Sequence, residues 1–99
     1  MHYFFEWDPR KVAANRRKHG VSFHQAATVM LDPRAISIYD TEHSTDEERW
    51  LTLGISSSGG LLVVHHTYQQ IDASSAQVRI ISSRKATRHE IDKYAGTGP

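Results

Sequence analysis

Two apolar runs joined by a short turn cluster constrain this chain more than any other feature. Arg49-Trp50-Leu51-Thr52-Leu53-Gly54-Ile55 alternates in polarity, Ser57-Ser58-Gly59-Gly60 supplies turn residues, and Leu61 to Thr67 follows. Alternation with a period of two marks a half-buried strand, and turn residues between two such runs predict a hairpin. Leu61-Leu62-Val63-Val64 is apolar at successive positions, which predicts a strand buried on both faces and central to a sheet. The rest of the chain must therefore pack around that sheet. At 99 residues there is room for a single core. A domain of this size buries only somewhat more than about 60 per cent of the surface its unfolded chain exposes, so a surface groove is expected rather than an internal cavity.

The flanking segments carry local signals. Tyr3-Phe4-Phe5-Glu6-Trp7 is strand-like, Asp8-Pro9 offers an N-cap and a first-turn proline, and Gly20 offers a left-handed stop, which predicts a helix from Pro9 to His19. Only Val12, Ala13 and Ala14 can face a core, so this helix should lie on the surface. Ser22 with Gln25 has the form of a capping box and opens a core helix from Phe23 to Leu31, ended by Asp32-Pro33. Ala35 to Tyr39 alternates as a strand, Asp40 to Asp46 reads as a polar loop, and Gln69 to Ala76 reads as a polar connection. Gln77 to Ser83 is the last strand, and Thr87 with Glu90 opens a short helix to about Tyr94. The expected architecture is one α+β domain over residues 1–95, in the order β-α-α-β-β-β-β-α with a mostly antiparallel sheet. A frayed tail is expected over 96–99.

Composition narrows the function classes. With no cysteine, disulfide frameworks and thiolate zinc sites are excluded. The longest strongly apolar run falls far short of the roughly 20 residues that cross a bilayer, and the amino terminus lacks a basic segment followed by an apolar one. A soluble, cytoplasmic protein with no membrane partner is expected. The net charge of +1 conceals two basic ends and an acidic middle. Arg10, Lys11, Arg16, Arg17 and Lys18 form one end, and Arg79, Arg84, Lys85, Arg88 and Lys93 the other. If both ends pack against one small sheet they should converge and attract a polyanion.

Each cluster has a structural and a chemical reading. Arg16-Arg17-Lys18-His19 can complement the carbonyls at a helix C-terminus, at about 0.3 to 1 kcal/mol per cation, or bind phosphate with His19 transferring protons. Arg79 can pair with a carboxylate, whereas Arg84 and Arg88 can fork a phosphate through their fixed planar donors. Arg88 sits unfavourably at a helix N-terminus and needs Glu90 or a bound anion as compensation. The stretch from Asp40 to Arg49 holds His43 and Glu48, suited to acid-base work, or forms an ordinary loop in which Glu48 and Arg49 pair. Tyr68 is a core aromatic or a stacking platform for a base. Seven histidines invite a metal site, but His65 and His66 are strand neighbours that point to opposite faces, and no metal-ligating spacing is present.

Taken in order, Phe5-Glu6-Trp7-Asp8-Pro9 with Lys11, Asn15, Lys18 to Phe23, Asp32-Pro33, His43-Ser44 with Glu47-Glu48-Arg49, and Val78 to Glu90 with Tyr94 resemble the pattern of the BrnT toxin family. Ser83, Ile91 and Gln69 depart from that pattern, and Gln69 removes a possible phosphate contact. The resemblance implies a fold akin to the RelE-type ribonucleases and an RNA-cleaving activity that stops translation. It also implies a BrnA-like ribbon-helix-helix antitoxin as partner, with operator DNA bound only through that antitoxin. Metal-independent cleavage, with no cofactor, needs a base for the 2′-hydroxyl, an acid for the leaving 5′-oxygen and cations for the charge between them. On that chemistry Arg79, Arg84 and Arg88 stabilise charge, and His19, His43 and Glu48 are the proton-transfer candidates. Lys18, Arg16, Arg17 and Tyr68 are the RNA-binding ones. A non-enzymatic binding module is the competing class, and a DNA-binding regulator is disfavoured by the absence of a helix-turn-helix pattern.

Overall fold

The computed structural model describes residues 1–96. Strand β1 (His2–Trp7) ends where Asp8 turns the chain, its carboxylate accepting from the Arg10 amide at 2.9 Å while Pro9 opens helix α1 (Pro9–His19). Gly20, at φ 71°, stops that helix by donating its amide to the Arg16 carbonyl. The Ser22 hydroxyl accepts from the Gln25 amide and caps helix α2 (Phe23–Thr28). The expected continuation to Leu31 is corrected: Val29–Leu31 is a 3-10 turn. Asp32, extended ahead of Pro33, leaves no room for another α-turn, and the tighter turn lets its amide reach the Val29 carbonyl.

The sheet follows in strands β2 (Ile36–Tyr39), β3 (Arg49–Ile55), β4 (Leu61–Thr67), β5 (Gln69–Asp72) and β6 (Ser75–Lys85), closed by helix α3 (Arg88–Ala95). The spatial order is β1-β6-β4-β3-β2, with β5 also paired to β6. All pairings are antiparallel except β1 with β6, which is parallel and runs from His2 opposite Ser75 to Trp7 opposite Ile80. The expected α+β order therefore holds, with one strand added. Gln69 to Ala76 is not a connection but β5 and the start of β6, joined by a turn that Asp72 caps through the Ser74 amide and hydroxyl. Every residue of β5 is exposed, so it carries no alternation for a sequence to display. Of the tail, Gly96 bonds the Asp92 carbonyl, and the fraying expected of Thr97 to Pro99 lies outside the described residues. Among the described residues no helix is long and apolar enough to cross a membrane.

The sheet has two unequal faces. On one, Leu62, Val64, Val78 and Ile80 meet Val21, Phe23, Ala26 and Val29, with Val12 of α1 packed alongside. On the other, Leu53 and Val63 meet Tyr94 of α3. This explains the unbroken run in β4, whose successive side chains enter two different cores. Helix α3 is tied down by the Tyr94 hydroxyl, which donates to Asp32 at 2.6 Å, while the same carboxylate oxygen accepts from the Ile55 amide at 2.8 Å.

Two close fits hold α1 and the 3-10 turn against the sheet. Beyond Ile80, β6 has no parallel neighbour, and the buried Asn15 carboxamide takes its place. It donates to the carbonyls of Ser83 and Val21, both at 3.0 Å, and accepts from the Ser83 amide at 3.1 Å. At Gly54, a Cβ would stand 2.9 Å from Val29 Cγ1 and 3.2 Å from both Ala35 Cβ and Asp32 Oδ2. Gly54→Ala should therefore force the sheet and the 3-10 turn apart, at about 1 to 3 kcal/mol. Urea denaturation checks this, and an unchanged midpoint would mean that the approach is not a constraint.

Candidate active site

Side chains of directly opposed residues share a sheet face. Registers place Glu6 beside Arg79, Arg84 beside Val63, Ser82 beside His65, His65 beside Leu51 and Thr67 beside Arg49. These residues lie on the face of α3, away from α1 and α2. Helix α3 covers only one end of that face, so a polar surface remains open beside it. A β-bulge between His65 and His66 lets β6 carry Arg79 and Arg84 on the same face although their spacing is odd.

Both arginines are already paired. Arg79 donates through Nη2 to Glu47, and Arg49 reaches the same carboxylate oxygen at 3.4 Å. Arg79 and Glu47 border an open groove of about 510 Å³ whose other walls include Glu6, Glu48, Tyr68 and Gln77. Glu47 thus replaces the expected Glu48 as the partner of Arg49, because Glu48 points away into the solvent of the groove. Arg84 grips Glu90 with two near-parallel bonds of 2.7 and 3.0 Å. Glu90 also accepts from the Thr87 amide, and Thr87 accepts from the Glu90 amide, so one carboxylate serves both the arginine and the capping box. The Arg84 bonds hold the Glu90 carboxyl down at about 2, against a smaller opposing effect of burial.

The histidine pair divides as strand alternation requires. His66 is buried: Nδ1 donates to the Thr67 carbonyl at 2.8 Å, which leaves Nε2 to accept from the Thr52 hydroxyl at 2.7 Å. His65 is half-buried on the open face. Desolvation, then the positive Arg84, lower its pKa below the ordinary histidine value, while Asp40 and Glu90 oppose them, so the ring is largely neutral at pH 7. At the rim, the exposed His43 donates Nδ1 to Asp40 at 2.8 Å. Burial would raise the Asp40 carboxyl, but the bond and charge of His43 with nearby amides leave it lowered overall.

Arg79, Arg84, Glu48 and His43 thus gather on or around one surface, while Tyr68 borders the groove and also packs against the core of the opposite face. The other expected candidates do not join them. Helix α1 packs on the opposite face, where Asn15 reaches Ser83, so Arg16, Arg17, Lys18 and His19 lie across the sheet from Arg84. The expected convergence of the two basic ends is therefore corrected, because adjacent residues of a strand point to opposite sides and only Lys85 faces Arg16, across a hollow of about 440 Å³. Arg88 extends into solvent and meets Asp92 at 3.4 Å, which supplies the compensating carboxylate in place of Glu90. Among the described residues, no cluster of three His, Asp or Glu side chains is arranged to hold a metal. His65, Glu47 and Arg49 were missed by sequence reasoning as members of this surface. The alternation of a histidine pair on a central strand was the available signal for the first.

A family model described as the ribonuclease toxin, BrnT, of type II toxin-antitoxin systems matches residues 7–90. The chain belongs to the BrnT family. A comparison with curated proteins gives no match. Membership makes the chain a BrnT ribonuclease toxin with RNA as its target and an antitoxin as its partner, and the matched span contains His65, Arg79 and Arg84.

Proposed function

We propose that this BrnT toxin cleaves RNA on the open sheet face by metal-independent attack of a 2′-hydroxyl on the adjacent phosphorus. The observation that carries the reading is the presence of Arg79 and Arg84 on one accessible face with the half-buried His65 imidazole, where Arg79 also borders an open groove of about 510 Å³. A guanidinium offers planar paired donors that suit phosphate oxygens, and fixed cations gain most where charge develops in the transition state. Arg84 and Arg79 are assigned to that charge, with Arg88 at the rim. His43 and Glu48 are assigned to proton exchange, and Tyr68, at the border of the groove, to stacking a base. Lys18, Arg16, Arg17 and His19, behind the sheet, are assigned to holding flanking RNA. Because the nucleophile is the 2′-hydroxyl, DNA is not a substrate. A BrnA-like ribbon-helix-helix antitoxin covers the open face in the cytoplasm and alone contacts operator DNA.

A second reading, a binding module without activity, draws on the fact that both arginines already hold carboxylates. Purified toxin incubated with RNA and EDTA separates the two. Fragments ending in 2′,3′-cyclic phosphate and 5′-hydroxyl are expected, with no cutting at a single 2′-deoxy position and growth arrest on induction that the adjacent antitoxin gene relieves. Intact RNA together with unimpaired growth would establish the binding module instead.

A further inference from the structure

We propose that His65 is the general base of this site, taking the proton of the attacking 2′-hydroxyl; the inference rests on the ribonuclease reading above. Of the seven histidines, His2 on β1 and His89 on α3 are exposed and His24 of α2 packs against Trp7, which leaves four to compete for the role. His66 has both ring nitrogens committed inside the core, to Thr67 and Thr52. His19 is across the sheet. His43 is largely exposed and has one nitrogen on Asp40. His65 alone sits in the middle of the open face, on the central strand, between Leu51 of β3 and Ser82 of β6. Among the described residues neither of its ring nitrogens is in a hydrogen bond.

Its surroundings suit a base. Arg84 approaches from β6, Glu90 from α3, and Asp40 and His43 from the loop between β2 and β3, while Arg49 lies two positions along β3 on the same face. His89 and Lys93 of α3 border the neighbouring apolar hollow with Leu51 and Val63. Desolvation and Arg84 favour the unprotonated imidazole, and the same Arg84 is available on this face for the phosphate that the activated oxygen attacks. In the step, the 2′-hydroxyl proton passes to the free ring nitrogen and the 2′-oxygen pair forms the bond to phosphorus. The bond from phosphorus to the 5′-oxygen breaks, its electrons stay on that oxygen, and the oxygen takes a proton from water. His65 then returns its proton to solvent, so the products are a 2′,3′-cyclic phosphate and a 5′-hydroxyl with no net change in protons.

Single-turnover cleavage of an RNA oligonucleotide, followed from pH 4.5 to 8.5, tests this in the full chain. In the wild type the rate should rise with pH through a pKa below that of an ordinary histidine and then level off. His65→Asn should lower the plateau by about a hundredfold or more and abolish that acid limb. His65→Gly should regain part of its rate when free imidazole is added, a readout that a merely structural role would not move. Melting curves on both variants identify any that fails to fold, and the other then decides. Wild type that cuts, with a variant that keeps its rate within about threefold and the same acid limb, would overturn the assignment while leaving the ribonuclease intact. Wild type that does not cut would overturn both.

Discussion

Arg84→Ala is expected to reduce RNA cleavage by about a hundredfold or more, the loss typical of one preorganised donor aimed at transition-state charge. Its fork already holds Glu90, so the substitution should also lower stability, by about 1 kcal/mol for a partly exposed pair, or a few degrees in thermal midpoint. The two effects separate by pH. The Glu90 carboxyl is depressed to about 2, so its contribution is complete above the carboxylate's unfolded value near 4.3 and is lost as pH falls toward 2. Arg84→Ala should therefore differ in stability from the wild type at pH 7 and approach it in acid, whereas the cleavage defect should be present at pH 7 in fully folded protein. Glu90→Gln is the control, because it weakens the fork without removing the guanidinium. If Arg84 only anchored α3, Glu90→Gln would lose as much activity as Arg84→Ala. Arg84→Lys should fall between wild type and alanine, since an ammonium keeps the charge and loses the planar pair of donors. An unstable but fully active Arg84→Ala protein would sink the assignment.

The largest effect on stability is expected at Asn15. Its carboxamide meets three buried backbone groups, the amide and carbonyl of Ser83 and the carbonyl of Val21. Alanine leaves all three without partners, and at about 1 to 3 kcal/mol for each unsatisfied group, discounted because the losses do not add, about 3 kcal/mol is expected. In a domain of this size that lowers the thermal midpoint by on the order of 10 to 20 °C. Asn15→Asp is the sharper test. One carboxylate oxygen can still accept from Ser83, but the other faces two carbonyls, so the folded protein favours the protonated acid and raises its pKa. Stability of this variant should increase as pH falls through that raised value and level off near the unfolded value of about 3.9. Urea denaturation at pH 7 and pH 4 measures the difference. An Asn15→Ala midpoint within three degrees of wild type would mean that water or a shifted backbone replaces the carboxamide.

The elements legible in the sequence are those determined by local chemistry. Asp8-Pro9, Gly20 and the Thr87 with Glu90 pair each act within a few residues and cap as the pattern predicts, whereas Ser22 caps α2 without the reciprocal Gln25 bond of a full capping box. The β3 and β4 hairpin is equally local, and Gly59 takes its turn at φ 93°. Strand β5 was hidden because an exposed edge strand has no buried side to pattern. The site was legible in part. Arg79 and Arg84 share a face only because a bulge intervenes, and the sequence does not say on which side of the sheet a helix packs. The cations of α1, which composition groups with those of β6, are for that reason separated from them by the thickness of a sheet. Asn15 was visible only as part of a family pattern, since its partner Ser83 is assigned by topology.

The parallel pairing of β1 with β6 also bears on when the molecule can act. His2 and its neighbours find their sheet partners only from Ser75 onward, far along the chain, and β6 itself supplies Arg79 and Arg84. Closing so long a loop precedes any gain from the contacts it makes, which slows folding and places the docking of β1 late. A chain stopped short of Lys85 has neither the strand that seats its amino terminus nor a complete set of cations. Completing the sheet and assembling the cations are thus one event in folding, and a copy truncated before β6 is expected to be inactive.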